Sequence, residues 1–179
     1  ENRLMDFDDQ MVFAFRILRK NSRVREYFKN KYRYLLVDEA QDTSKIQHYI
    51  IQMLVHGRNE LFMVGDEDQS IYGFRAAYPR VLMEFEKTYK GGQVMLLETD
   101  YRSDGYIVNA AAQFIKQNQN RHEKKMLPAK PEAKPVTIDN MEKRQQQYDR
   151  VINYLRSLYS GRQTAILYRN NDSALPYIY

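Results

Sequence analysis

The 179-residue sequence contains no cysteine. Disulfide frameworks, zinc–thiolate sites, iron–sulfur clusters and cysteine nucleophiles are therefore excluded within it. Glycine occurs 7 times and proline 5 times, too sparsely for a collagen-like rod or a low-complexity disordered chain. No apolar run approaches the roughly 20 residues that a membrane-crossing helix needs. The opening ENRLMDFDD is acidic and polar, unlike the basic and apolar regions of a secretory signal. A cytoplasmic, reducing setting without membrane contact is the expectation. The first residue is not Met, so further sequence upstream is also expected.

What is present is ordinary for a packed protein of one domain or two small ones. Hydrophobic residues make up 43%, enough to build a core without staples. Lys and Arg number 28 against 23 Asp and Glu, a net charge of +5. That excess fits a polyanionic partner and fits equally a solvated surface.

Strands alternate with helices. Phe7, Met11, Phe15 and Leu18 recur at helical spacing, and helix is expected through the first thirty-odd residues. The run Tyr34–Val37 reads as a buried parallel strand. A helix follows, capped by Thr43 or Ser44, with Ile46, Tyr49, Ile50, Met53 and Leu54 on one face and Gly57 as its stop. Leu61–Val64 is a second strand. Pro79 opens a helix through about Tyr89. Val94–Leu97 reads as a third strand. A helix over 104–119 carries Ile107, Ala111, Phe114 and Ile115. The charged, proline-bearing stretch 120–135 is a loop or a flexible linker. Further strands are expected at Val136–Ile138 and Thr164–Tyr168, with a helix over Glu142–Tyr159 between them and the start of another at the end. This alternation points to an α/β fold with a parallel sheet.

Ligand sites in open α/β sheets lie where loops leave the strand C-termini. Asp38 and Glu39 follow the first strand directly, in DEAQD (38–42). Adjacent carboxylates on an extended chain point apart, so one can hold Mg²⁺ while the other orients or deprotonates water. A solvated loop start is the plain alternative. The second strand delivers GDEDQSIYGFRAA (65–77). Gln69 can hydrogen-bond a phosphate or a water without adding charge. Tyr72, Phe74 and Arg75 combine the rings and the cation that unpaired bases require, or else form local core. After the third apolar run comes LETDYRS (97–103), where Tyr101 offers a flat face and Arg102 a rigid guanidinium.

In this order and spacing the three strings resemble the UvrD/Rep/PcrA family of superfamily one DNA helicases. VDEAQDT is similar to its Walker B motif. GDEDQSIYGFRAA resembles the motif that couples ATP to single-stranded DNA, and LETDYRS the motif usually written L-E-x-N-Y-R-S. DFDDQM (6–11) and AILYRNNDS (165–173) agree with flanking family segments. The resemblance implies parallel-sheet, RecA-like motor domains of the P-loop NTPase type. It implies a motor that uses ATP and Mg²⁺ to move on single-stranded DNA and open duplex junctions in repair, replication or recombination. Carried over by residue, Asp38 coordinates Mg²⁺ and Glu39 activates the attacking water beside it. Gln69 senses the γ-phosphate. Tyr72, Phe74 and Arg75 contact single-stranded DNA, Tyr101 stacks on adenine, and Arg102 is an arginine finger. Phe74 stands where many relatives have Trp, Ala76 where a Gly is usual, and Asp100 where an Asn is usual. Asp100 is expected to pair with Arg102 and blunt its reach.

One expected element is missing from the sequence. The phosphate loop G-x-x-x-x-G-K-[ST] does not occur, and there is no Gly-Lys pair at all. The expectation is therefore a fragment of two motor domains, 1–97 the later part of the first and 98–179 the opening of the second. It would be inactive by itself and would be completed by the rest of its parent chain. Two other readings are a non-catalytic, helicase-derived DNA-binding or interaction module, and the motor part of a helicase–nuclease.

Overall fold

The computed structural model describes residues 4–55, 60–71, 77–158 and 163–174. They group into two compact units, one ending at Pro135 and the other beginning at Val136.

The first unit opens with α1 (Phe7–Lys20) and α2 (Ser22–Lys31). Asp6 and Asp9 cap α1 reciprocally: the Asp6 carboxylate accepts the Asp9 N–H at 2.7 Å, and the Asp6 N–H reaches Asp9 at 3.4 Å. Asn21 closes α1 and starts α2, its side chain accepting the Val24 N–H at 3.1 Å. Of the expected apolar stripe, Leu18 is buried and Met11 and Phe15 are half-buried, but Phe7 lies in solvent.

Next come β1 (Leu35–Val37), α3 (Lys45–Val55) and β2 (Leu61–Met63). The two strands pair in parallel, Leu35 opposite Leu61 and Val37 opposite Met63. α1 and α2 pack against α3, with Phe15 against Tyr49 at a ring separation of 6.2 Å. Ser44, not Thr43, starts α3 through reciprocal bonds with Gln47. Thr43 Oγ1 instead donates to the Ala40 carbonyl and meets His48 Nε2, each at 2.6 Å. The deeply buried positions of α3 are therefore His48 and Val55, while Tyr49 is exposed. The expected stop at Gly57 lies outside the described residues.

The helix expected after Pro79 is split into α4 (Arg80–Met83) and α5 (Phe85–Thr88), with Glu84 between them in a non-helical conformation. Val94–Leu97 is not a strand. It finds no partner ladder among the described residues, and without one an apolar run cannot satisfy its backbone as sheet; Met95 and Leu97 are exposed. The strand begins two residues further on, as β3 (Thr99–Asp100), parallel to β4 (Leu127–Pro128). The 120–135 stretch thus carries a strand rather than running free. Between them α6 (Gly105–Ile115) is capped by Asp104, whose carboxylate accepts the Tyr106 and Ile107 N–H groups. Its buried residues are Gly105 and Val108, not the Ile107–Phe114 stripe. The reason is close approach: a Cβ on Gly105 would lie 2.7 Å from Glu132 Cγ.

The second unit holds α7 (Arg144–Ser157) and α8 (Asn171–Ala174). Arg150 on α7 pairs with Asp139 at 2.8 Å. The strands expected at 136–138 and 164–168 are absent among the described residues of this unit, since no neighbouring strand is there to pair with them.

Candidate functional site

Parallel pairing puts the C-terminal ends of β1 and β2 on the same edge, and both candidate loops leave from it. The ladder continues one step beyond the strands. The Val64 N–H donates to the Val37 carbonyl at 2.8 Å, and the Ala40 N–H to the Val64 carbonyl at 3.0 Å.

Asp38 and Glu39 are both exposed at this edge. Glu39 is the one non-glycine residue with positive φ among the described residues, at φ 48° and ψ 43°. A side chain in the left-handed region costs about 1–2 kcal/mol, and such strain collects at functional sites. Two bonds hold it there. Asp38 Oδ1 accepts the Glu39 N–H at 2.9 Å, and Glu39 Oε2 accepts from Gln41 Nε2 at 2.6 Å.

Gln41 was not singled out from sequence, yet it is the centre of the site. It is 1% exposed. Its Nε2 holds Glu39, and its Oε1 accepts the Asp66 N–H from the other loop at 3.0 Å. Gly65 makes this possible: a Cβ there would stand 2.7 Å from Gln41 Oε1 and 3.2 Å from the Ala40 nitrogen. Asp66 then caps a short 3-10 turn, Glu67–Gln69. Its Oδ2 accepts from Gln69 Nε2 at 2.8 Å. A continuous chain of bonds therefore runs Glu39–Gln41–Asp66–Gln69. The sequence signal for Gln41 was its place in DEAQD just past an apolar run; nothing local marked it as buried, and β1 itself, expected to be buried, has Leu36 75% exposed.

The electrostatics follow the same contacts. Burial acts to raise the Asp66 carboxyl, but hydrogen bonds from Lys124 and Gln69 and the Lys124 charge outweigh it, and it lies below its ordinary value. Burial lowers the His48 imidazole. Thr43 spends its single proton on Ala40, so His48 Nε2–H donates to Thr43 and Nδ1 is left as a buried acceptor with no partner among the described residues.

The nucleotide-facing candidates downstream sit on the turn after β3. Tyr101 and Arg102 are exposed. Asp100 does not pair with the Arg102 guanidinium. Its Oδ1 accepts the backbone N–H groups of Arg102 at 2.7 Å and Ser103 at 2.8 Å, as an asparagine would. Those two bonds, Ser103 first, hold the Asp100 carboxyl below its usual range. Tyr72, Phe74 and Arg75 lie outside the described residues. Their flanks are tied to the DEAQD side: Ser70 Oγ donates to the Gln41 carbonyl at 3.4 Å. Ala77 bridges Ser44, and the Tyr78 N–H donates to the Thr43 carbonyl at 2.8 Å.

The donor set fits a hard cation on a nucleotide. Asp38 Oδ2 and Glu39 Oε1 take no hydrogen bond among the described residues. Mg²⁺ uses one or two such carboxylates together with phosphate oxygens and water. No group of three or more His, Asp or Glu that could cage an ion occurs among the described residues.

Two family profiles divide the chain between them. The UvrD/REP helicase N-terminal domain matches residues 1–90. The UvrD-like helicase C-terminal domain matches residues 95–175. The chain belongs to the UvrD/REP helicase family. Among its relatives are ATP-dependent DNA helicase Rep of Salmonella typhimurium, 36% identical over 96% of this chain and 26% of the relative. ATP-dependent DNA helicase PcrA of Staphylococcus aureus is 34% identical over 95% of this chain and 24% of the relative. A probable DNA helicase II homolog of Mycoplasma capricolum is 32% identical over 96% of this chain and 24% of the relative. This UvrD/REP chain thus spans about a quarter of the length of the curated relatives it matches. Among its described residues no helix is long and apolar enough to cross a membrane.

Proposed function

We propose that this chain is part of the motor of an ATP-dependent DNA helicase, with its 1–97 portion in the first RecA-like motor domain and 98–179 in the second. The observation that carries the reading is the Glu39–Gln41–Asp66–Gln69 chain. It ties a carboxylate able to activate water to an amide able to sense a phosphate, at one strand edge of a UvrD/REP family member.

Each side chain then has a task set by its chemistry. Mg²⁺, when held by Asp38, neutralises phosphate charge. Glu39, fixed by Gln41, presents its free oxygen as general base to the attacking water. Gln69 commits one N–H to Asp66 and keeps a second to donate to a γ-phosphate oxygen. Arg102, whose guanidinium forms no ion pair among the described residues although the Asp100 charge lies near it, supplies a cation for the charge that spreads in phosphoryl transfer. Tyr101, 76% exposed, offers its ring to the adenine face. Tyr72, Phe74 and Arg75 follow Gln69 within a few residues, so stacking on single-stranded DNA is linked directly to the phosphate-sensing turn.

The sequence has no phosphate loop, and the chain by itself is proposed to hydrolyse no ATP. Steady-state hydrolysis with Mg²⁺, with and without single-stranded DNA, tests this. No turnover is expected from the chain. DNA-stimulated turnover is expected from the whole protein that carries it, reduced on the order of a hundredfold or more by Glu39→Gln. Turnover by the isolated chain, or a fully active Glu39→Gln protein, would overturn the assignment.

A further inference from the structure

The acidic run Asp66–Glu67–Asp68 is met by a basic segment more than fifty residues downstream. Arg121 grips Asp68 with two nitrogens, Nε to Oδ1 at 2.9 Å and Nη2 to Oδ2 at 2.7 Å. The two side chains are 12% and 10% exposed. Lys124 Nζ lies 2.5 Å from Asp66 Oδ1, 3.1 Å from Asp68 Oδ2 and 3.6 Å from Glu67 Oε1. The His122 N–H donates to Glu67 Oε1 at 2.9 Å. Two fixed cations and a backbone donor thus enclose three carboxylates.

Such a cluster is weak evidence for stability, because removing charges from water offsets most of their attraction. Its geometry accomplishes something else. Asp66 has both carboxylate oxygens committed, Oδ1 to Lys124 and Oδ2 to the Gln69 amide, and its N–H is held by Gln41. Lys124 therefore fixes the carboxylate that fixes Gln69. Arg121 anchors the next residue but one, on the same 3-10 turn.

We infer that Lys124 and Arg121 are positioning residues for Gln69, clamping the phosphate-sensing turn from the other side of the proposed motor-domain boundary near residue 97. The inference rests on the assignment of Gln69 above. It makes the orientation of Gln69 depend on where the 121–124 segment stands. A shift of that segment, which belongs to the same compact unit as the turn, would then be felt at the γ-phosphate without any of its residues touching nucleotide.

The test uses the whole protein carrying this chain, with Lys124→Met, Lys124→Arg, Gln69→Ala and the Gln69→Ala/Lys124→Met double variant. DNA-stimulated kcat for ATP, affinity for ADP and the melting temperature are measured. Loss of positioning should lower kcat on the order of tenfold or more in Lys124→Met. ADP, which has no γ-phosphate, should bind as in the parent protein. Lys124→Arg should restore most of kcat, and the double variant should be no slower than Gln69→Ala alone, because both act through one group. A parental kcat in Lys124→Met beside a slow Gln69→Ala would overturn the clamp and leave Gln69's role standing. Losses that multiply in the double variant, or that track ADP affinity and melting temperature together, would also overturn it. A parental kcat in Gln69→Ala itself would remove the Gln69 assignment and the clamp with it, with a dead Glu39→Gln still marking the catalytic edge.

Discussion

Replacing Gln41 by Leu keeps most of the buried volume and removes two hydrogen bonds, one to Asp66 across the two strand-end loops and one to Glu39 within its own loop. The half-buried Asp66 N–H loses its acceptor at 3.0 Å. A buried backbone donor left unsatisfied costs about 1–3 kcal/mol. The bond to Glu39 at 2.6 Å is charge-assisted, but Glu39 is exposed and rehydrates, so its loss adds only about 0.5–1.5 kcal/mol. The sum is about 1.5–4.5 kcal/mol, and it should fall on local opening of the strand-end loops rather than on the helices. Amide hydrogen exchange reads local opening directly. Protection of the Asp66 amide should drop on the order of tenfold or more, at about 1.4 kcal/mol per decade. Amides of α1 should stay as they were. Gln41→Glu is the control: it keeps an oxygen for the Asp66 N–H but sets a second carboxylate against Glu39. Asp66 protection should then return while Glu39 loses its left-handed position. Unchanged protection of the Asp66 amide in Gln41→Leu would refute the idea that this side chain bridges the loops.

Gly65→Ala should act at the same place, because its Cβ would enter within 2.7 Å of Gln41 Oε1 and 2.9 Å of Leu82 Cδ1; a loss of about 1–3 kcal/mol, seen as a lower melting temperature and faster Asp66 exchange, is expected. His48 titrates in the unfolded chain near its ordinary 6.5, whereas burial lowers it in the folded one. As pH falls below that value the unfolded state takes up a proton that the native state refuses, so stability declines with acidification. His48→Gln should flatten the melting-temperature profile through this window, and an unaltered slope would show that His48 is not its source. Asp100 serves as an acceptor for two backbone N–H groups, so Asp100→Asn should melt like the parent while Asp100→Ala melts lower. A destabilised Asp100→Asn would mean that the charge, not the acceptor, is what the turn uses.

The local elements and the two strand-end loops were legible because their causes are local. Ser44 announces a helix start, and short apolar runs, the first ending in acids, announce β1 and β2. Asp38, Glu39 and Gln69 came to one edge for the same reason: parallel strands deliver their following loops to the same side. Where the reading of strands failed, at Val94–Leu97, Val136–Ile138 and Thr164–Tyr168, the residues were suitable but the partner was missing. A strand is a property of a pair, and apolar content on one side cannot supply the other. The stripe on α6 failed differently. Helical periodicity marked Ile107 and Phe114, but Glu132 packs closely on Gly105 and turns the other face inward.

Sequence alone determined that this is a cysteine-free α/β chain of the UvrD/REP type, with its carboxylates, amide, rings and arginine in motif order. Those features are fixed by residue type and by spacings of a few positions. Tertiary structure decided which of them meet. It put Glu39 in the left-handed region, buried Gln41 as the bridge to Asp66, and turned the Asp100 carboxylate onto the backbone N–H groups of Arg102 and Ser103. It also brought Arg121 and Lys124 across more than fifty residues onto the acidic turn. Opposite charges in RHEKK and DED are visible in the sequence, but so are many others. Only the folded path of the chain, which excludes water from this particular set, selects the pair.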